Sequence, residues 1–210
     1  MFTGIVTALG TVTAVERDDE RLSLTIESPY SDLADGDSVA VNGACLTVVE
    51  TDGTSFRVEA VVTTRGRTRF GEMEAGEQVN LERAMQIDDR FGGHLVQGHV
   101  DGVGSIAHVE EKDDALLIDI AVPEDVAELS VPYGSISVDG VSMTVNAVPK
   151  QGIVQLSVIP YTRDHTTLGA LKPGDGVHIE ADIIGKYVRQ LMEQRGSLAP
   201  GGGADAIRDN

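Results

Sequence analysis

Apolar and polar residues alternate with period two in run after run of this chain: Leu22, Leu24, Ile26; Phe56, Val58, Ala60; Leu116, Ile118, Ile120, Val122; Val154, Leu156, Val158. On an extended backbone that spacing sends the apolar side chains to one face, so each run predicts a strand with one buried side. Turn residues bound the runs, as at Asp52-Gly53, Gln151-Gly152 and Pro173-Gly174-Asp175-Gly176. Short strands with no long helical period between them predict a closed antiparallel barrel or a sandwich, and closure is favoured because it leaves no sheet edge to protect. Short helical turns are expected at 31–34 and 123–129. After Asp182 the period changes, and Ile184, Tyr187, Val188, Leu191 and Met192 share one helical face, with Lys186, Arg189, Gln190 and Glu193 elsewhere. That stripe needs a cover, either its own barrel or copies of itself in an oligomer. From Gly196 the Gly, Asp and Asn composition reads as a disordered tail.

The pattern occurs twice. Thr3-Gly4-Ile5-Val6 returns as Gln97-Gly98-His99-Val100, and Asn42-Gly43-Ala44-Cys45-Leu46-Thr47-Val48 as Asp139-Gly140-Val141-Ser142-Met143-Thr144-Val145. Val62-Thr63-Thr64 answers Pro160-Tyr161-Thr162, and Gly76-Glu77-Gln78-Val79-Asn80-Leu81-Glu82 answers Gly174-Asp175-Gly176-Val177-His178-Ile179-Glu180, each between 94 and 98 positions later. A repeat of that length is a whole domain rather than a solenoid unit. The expected organisation is all-β: two tandem similar barrels at 1–86 and 91–183, a helix at 184–195 and a tail at 196–210. Two similar domains imply two similar pockets, which differ most visibly at Cys45 against Ser142 and Ile5 against His99.

Composition narrows the partners. The net charge is −18, with only 4 lysines among 16 basic residues. Such a field repels phosphate backbones and anionic lipid, which argues against nucleic acid and membrane. The acidic residues are spread over loops rather than gathered in one tract, which fits adaptation to high salt better than a basic protein partner. A single cysteine excludes an intrachain disulfide, and no cleavable signal or spanning apolar run is visible, so a reducing cytoplasm is the expected compartment. There is no phosphate loop, no Gly-x-Ser-x-Gly elbow and no Cys-x2-Cys pair. Gly98, Gly102 and Gly104 read as bulges and close approaches inside a strand. His94 and His99 would fall on opposite faces of that strand, which argues against a metal site.

What remains is a set of small polar residues inside the strongest strand runs and present in both copies: Thr3 and Gln97, Cys45 and Ser142, Thr47 and Thr144, Thr64 and Thr162. A lone Thr or Cys in a strand is usually structural. The same polar position in both copies, beside glycines that let a ligand approach the backbone, points instead to two binding pockets. Near them His99 is the candidate side chain for proton transfer.

These motifs resemble the alpha-chain type of riboflavin synthase, the lumazine-binding repeat family. The resemblance is carried by Met1-Phe2-Thr3-Gly4-Ile5-Val6, Val39-Ala40-Val41-Asn42-Gly43-Ala44-Cys45-Leu46-Thr47-Val48, Gly92-Gly93-His94-Leu95-Val96-Gln97-Gly98-His99-Val100-Asp101-Gly102, Val138-Asp139-Gly140-Val141-Ser142-Met143-Thr144-Val145 and Thr166-Thr167-Leu168-Gly169, in family order from Met1 to about Met192. It implies two six-stranded Greek-key barrels, a C-terminal helix that gathers a homotrimer, and a dismutation of two 6,7-dimethyl-8-ribityllumazine molecules by four-carbon transfer, with no external cofactor. It implies an N-barrel pocket of Gly4, Ile5, Val6, Ser38, Cys45, Leu46 and Thr47 with Glu59, Ala60, Val61, Val62, Thr63 and Thr64. The C-barrel pocket would comprise Gly98, His99, Val100, Tyr133, Ser142, Met143 and Thr144 with Ser157, Val158, Ile159, Pro160, Tyr161 and Thr162. His99 with Ser142 and Thr144 would handle the proton, Cys45 or a water would add to the partner ring, and Phe2 would help close the site. The chain departs from the family at Thr63 and Tyr161, where a glutamate usually binds the ribityl chain, and at Tyr133, where a lysine is common. A lumazine or flavin carrier on the same two barrels is the rival reading, disfavoured because the second copy keeps His99, Ser142 and Thr144.

Overall fold

A computed structural model describes residues 1–18, 21–60 and 66–197, with side chains to residue 194. The alternating runs form antiparallel strands that close into two barrels. In the first, β1 (Ala8–Arg17), β2 (Leu22–Glu27), β3 (Ser38–Val41), β4 (Ala44–Thr51), β5 (Ser55–Ala60) and β6 (Gln78–Arg83) follow the order β1-β2-β5-β4-β3-β6 around the wall. The second repeats that order as β7-β8-β11-β10-β9-β12, with β7 (Gly102–Lys112), β8 (Ala115–Ala121), β9 (Ser135–Val138), β10 (Val141–Lys150), β11 (Ile153–Val158) and β12 (Gly176–Ala181). Pairing β2 with β5 instead of its neighbour β3 is the Greek-key crossing. Leu22, Leu24 and Ile26 stand opposite Ala60, Val58 and Phe56, so both strands turn their apolar face to one core. The register slips at Val12/Ala14 in β1 and again at the equivalent Ile106/His108 in β7. A bulge bends and twists its strand, which lets a short sheet curl back on itself.

Among the described residues, three α-helices lie outside the walls: α1 (Glu124–Leu129), α2 (Pro160–His165) and α3 (Ile183–Ser197). The helical turn expected at 123–129 is α1, but 31–34 is a loop. There the Asp37 carboxylate accepts the Ala34 N–H at 3.0 Å and Gly36 turns with φ 93°, a local side-chain bond that competes with helix. Helix α2 has Pro160 at its start, where a missing N–H costs nothing. On α3 the stripe of Ile184, Tyr187, Val188, Leu191 and Met192 is exposed. Most of the expected tail, residues 198–210, lies outside the described residues.

The barrels meet through two hairpin tips. Asn42-Gly43 and Asp139-Gly140 have φ of 43°, 78°, 44° and 79°, the left-handed pair that a two-residue turn needs. A Cβ on Gly43 would lie 2.6 Å from the backbone nitrogen of Gly140, so the tips touch backbone to backbone. A buried polar network surrounds the contact. Asn42 Oδ1 accepts the Asn80 N–H and Asp139 Oδ1 accepts the His178 N–H, both at 2.7 Å. Across the junction, Asn80 Nδ2 donates to the Asp139 carbonyl at 2.9 Å. The Arg69 N–H donates to His178 Nε2 at 2.8 Å, which leaves the ring proton on Nδ1 to donate to the Asn42 carbonyl at 2.8 Å. That imidazole is neutral, and burial pushes its pKa down to about 4. Burial pushes the Asp139 carboxyl up to about 7.

The segments that open each repeat, 1–7 and 91–101, are not barrel strands; β7 begins only at Gly102. They pair with each other: Phe2 N–H donates to Val96 O at 2.8 Å, Val96 N–H to Phe2 O at 3.2 Å, and His94 N–H to Thr3 O at 3.1 Å. Running past each other, they land on opposite barrels, so Val6 packs against the second core and Val100 enters the first. Two carboxylates hold them. Glu82 on β6 accepts Thr3 N–H (2.7 Å), Thr3 Oγ1–H (2.9 Å) and Gly4 N–H (2.9 Å). Glu180 on β12 accepts the N–H groups of Gln97 (2.7 Å), Gly98 (2.9 Å) and His99 (2.9 Å). Both are buried, at 6% and 3% exposure, and burial raises both carboxyl pKa values against the pull of those donors.

Two outcomes follow from this frame. A glutamine at 180 cannot accept at both ends, and its amide would face N–H donors. With about 1.5–3 kcal/mol per hydrogen bond to a charged group, Glu180→Gln should lower Tm by about 5–10 °C; an unchanged melt contradicts the anchoring role. Asp139 has a raised folded-state pKa, so its contribution is fully present below the unfolded pKa near 4 and is lost as pH rises through about 7. Asp139→Asn, which imitates Asn42, should therefore melt above wild type at pH 8, with a gap that narrows as pH falls to 4. A gap independent of pH contradicts this.

Candidate functional site

The first pocket is a cavity of about 330 Å³ lined by Ala44, Cys45, Arg67, Thr68, Gly98, His99 and Val100. Strand alternation on β4 puts Cys45 and Thr47 on the outward face and Leu46 in the core. The Cys45 N–H donates to the Gly98 carbonyl at 2.9 Å. Gly98 has φ 78°, and a Cβ there would lie 2.6 Å from the Cys45 Cβ, so only glycine brings the two backbones together. His99, the next residue, is exposed at the cavity. Arg67 supplies a cation to the wall.

The second barrel repeats the arrangement with other chemistry. The Ser142 N–H donates to the Gly4 carbonyl at 2.7 Å, and Gly4, at φ 77°, would place a Cβ 2.7 Å from the Ser142 Cβ. Ser142 Oγ lies 2.7 Å from His94 Nδ1. His94 is buried, and its Nε2 has no hydrogen-bond partner among the described residues. Burial pushes its pKa below the ordinary imidazole range, against a smaller opposing pull from Asp182, so the ring is neutral at pH 7. Thr144 shares the outward face of β10 with Ser142, while Met143 packs on the core.

The expected residues are therefore brought together in a different grouping. Gly4, Ile5 and Val6 belong beside Ser142, and Gly98, His99 and Val100 beside Cys45; the expectation that kept each segment with its own copy is reversed, because the segments pair with one another and cross. Within one chain, the imidazole on Ser142 is His94, not His99. Neither histidine lies on a regular strand, so the opposite-face argument does not apply. Among the described residues, no group of three or more His, Cys, Asp and Glu side chains is placed to hold a metal ion.

Other expected positions take varied places. Phe2 is wholly buried with Ala40 and Val96, with Cys45 and Ala84 packed on that cluster, so it acts on the pocket only through packing. Ala60 and Val158 fill the cores. Glu59 faces Arg57 at 3.2 Å and Arg21 at 3.9 Å. Ser38 stands across from Thr47. Ser157 is half-buried on β11, Ile159 is exposed, and Thr162 on α2 accepts from Thr166 Oγ1 at 2.7 Å. Tyr161, after Pro160, stacks on His165 with centroids 4.1 Å apart. Tyr133 is exposed at φ 66°. Val61, Val62, Thr63 and Thr64 lie outside the described residues. The sequence reading missed Glu82, Glu180, His94 and Arg67. An acid at the same place in both copies, ending Val79-Asn80-Leu81-Glu82 and Val177-His178-Ile179-Glu180, was the available signal for the two glutamates. His94 stands outside the duplicated blocks, and its place in the Gly92–Gly102 motif was the only signal it carried.

Comparison with known proteins agrees with this geometry. The lumazine binding domain family matches residues 3–84 and again 97–182, each match starting at a crossing segment. Riboflavin synthase of Mycobacterium tuberculosis is 43% identical over 202 residues, covering 93% of this chain and 100% of that protein. Riboflavin synthase of Bacillus subtilis is 39% identical over 196 residues, covering 92% and 91%. The crystal structure of LumP complexed with 6,7-dimethyl-8-(1'-D-ribityl) lumazine superposes with a TM-score of 0.78 at 27% identity, covering 86% of this chain and 99% of that one. Its riboflavin complex gives 0.80 at the same identity and coverage. The chain thus belongs to the riboflavin synthase family, built from two lumazine-binding domains.

Proposed function

We propose that this chain converts two molecules of 6,7-dimethyl-8-ribityllumazine into riboflavin and 5-amino-6-ribitylamino-uracil, with one molecule in each kind of pocket. The observation that carries this reading is the pair of equivalent cradles, one presenting Cys45 and His99, the other Ser142 and His94. Each is closed by a segment from the other repeat. The reaction joins two like molecules, and it needs pockets alike enough to hold both yet different enough to treat them differently.

The electron-poor ring acidifies the lumazine 7-methyl group, which must lose a proton. Backbone and hydroxyl donors at the ring carbonyls would stabilise the resulting anion as an oxyanion hole does. Ser142, held by neutral His94 and flanked by Thr144, is one proton-handling set; His99 beside Cys45 is the other. Cys45 or a water adds to the partner ring. Within one chain His99 stands by Cys45 and Ser142 by His94, so the two sets act together when the first barrel of one subunit faces the second barrel of a neighbour. The exposed stripe on α3 supports a homotrimer as the assembly that does this. Holding two reactants in register contributes up to about 7–11 kcal/mol. Phe2 then acts as a positioning residue behind Cys45, and Tyr161 replaces an acid in ribityl binding. The acidic surface and the single thiol fit a salt-adapted protein of a reducing cytoplasm.

Purified protein given the lumazine alone should yield riboflavin and the uracil in equal amounts by chromatography; a shifted spectrum without product would make it a binder instead. His99→Ala should lower turnover by about 10²-fold and leave lumazine binding in place. Turnover at the wild-type rate would remove His99 from the reaction.

A further inference from the structure

We propose that Lys186, on the C-terminal helix, is a positioning residue for the pocket at Cys45; this rests on the reading that the pocket holds a lumazine. Lys186 Nζ lies 2.7 Å from both oxygens of Asp101, and each side chain is about a quarter exposed. Asp101 ends the crossing segment that contains Gly98 and His99. Its Oδ2 accepts the Ala181 N–H at 2.8 Å and its own N–H donates to the Ile179 carbonyl at 2.8 Å. Ile179 and Ala181 flank Glu180, so the glutamate fixes one end of the segment and Asp101 the other.

The first repeat ties its equivalent end differently. Thr7 N–H donates to the Leu81 carbonyl at 3.0 Å, and the Thr7 hydroxyl is bonded to Tyr30, which itself donates to Leu81 O at 3.1 Å. All of these belong to the first barrel. The backbone bond from Thr7 to Leu81 matches that from Asp101 to Ile179, so the repeats differ in the side-chain tie, which in the second comes from α3, outside the duplicated unit. Without Lys186, Asp101 would face buried Glu180 with no cation between them, and like charges would push on the strand end that carries His99. The helix itself has a separate hold on the barrel, because Arg189 bridges Asp125 at 3.2 Å and Glu128 at 3.0 Å on α1. Lys186 is therefore free to act on the segment without being needed to dock the helix. Through it, the element proposed to gather subunits also sets the floor of the pocket.

Cys45 is the only thiol in the chain, so its rate of reaction with 5,5′-dithiobis(2-nitrobenzoate) reports how tightly Gly98 covers it. In the full-length, assembled protein, Lys186→Met should speed that reaction by about fivefold and raise the lumazine KM by a similar factor, with kcat changed less. Lys186→Arg, which keeps the charge, should restore most of both. Asp101→Asn breaks the pair from the barrel side while keeping an acceptor for Ala181, and should match Lys186→Met. Folded variants with wild-type thiol reactivity and KM overturn the proposal, as does a loss that Lys186→Arg fails to repair. If the wild-type protein makes no riboflavin, the functional reading falls, yet the thiol rates still decide whether Lys186 holds the segment.

Discussion

The architecture depends on two buried carboxylates that accept backbone N–H groups. Glu82 and Glu180 each collect three donors from a segment with no strand partner in its own barrel, apart from the Phe2–Val96 bridge between the segments. Amide groups taken out of water without such acceptors carry a desolvation cost of about 1–3 kcal/mol each, so the crossing exists only because the acceptors do. The crossing in turn gives each barrel a wall from the other repeat. The hairpin tips at Gly43 and Gly140 leave no room for side chains between them and keep the two walls in register.

On this nearly twofold frame the chemistry is deliberately unequal. Thiol and exposed imidazole stand at one cradle, hydroxyl and buried imidazole at the other. The junction shows the same inequality: Asn42 and Asn80 on one side correspond to Asp139 and His178 on the other, with the same backbone bonds made by groups of different acidity. A duplicated scaffold keeps the hydrogen-bond geometry and lets single side chains diverge, which suits a reaction between two identical molecules with opposite roles.

The barrels were legible because alternation is a local property: Leu22, Leu24 and Ile26 need only face inward, and the strands of a closed sheet follow. The close approaches at Gly4 and Gly98 were legible for a similar reason, since glycine beside a polar strand residue marks contact. The exchange of segments was not. Gly4 meeting Cys45 and Gly4 meeting Ser142 satisfy the same backbone bonds, and the choice lies in the pairing of Phe2 with Val96. Glu82 and Glu180 were in view, but an acid at a strand end ordinarily reads as solvated. The helical turn expected at 31–34 does not form because the Asp37 carboxylate offers the Ala34 N–H a competing local acceptor.

The central claim is that a working site needs one cradle from each of two subunits. Subunit complementation tests it directly. His99→Ala and Ser142→Ala variants, each of low activity alone, are mixed, dissociated and allowed to reassemble. Some interfaces then pair an intact Cys45 cradle with an intact Ser142 cradle, and riboflavin formation should rise well above the sum of the separate variants. A mixture that stays at that sum after subunits are shown to exchange would contradict the account.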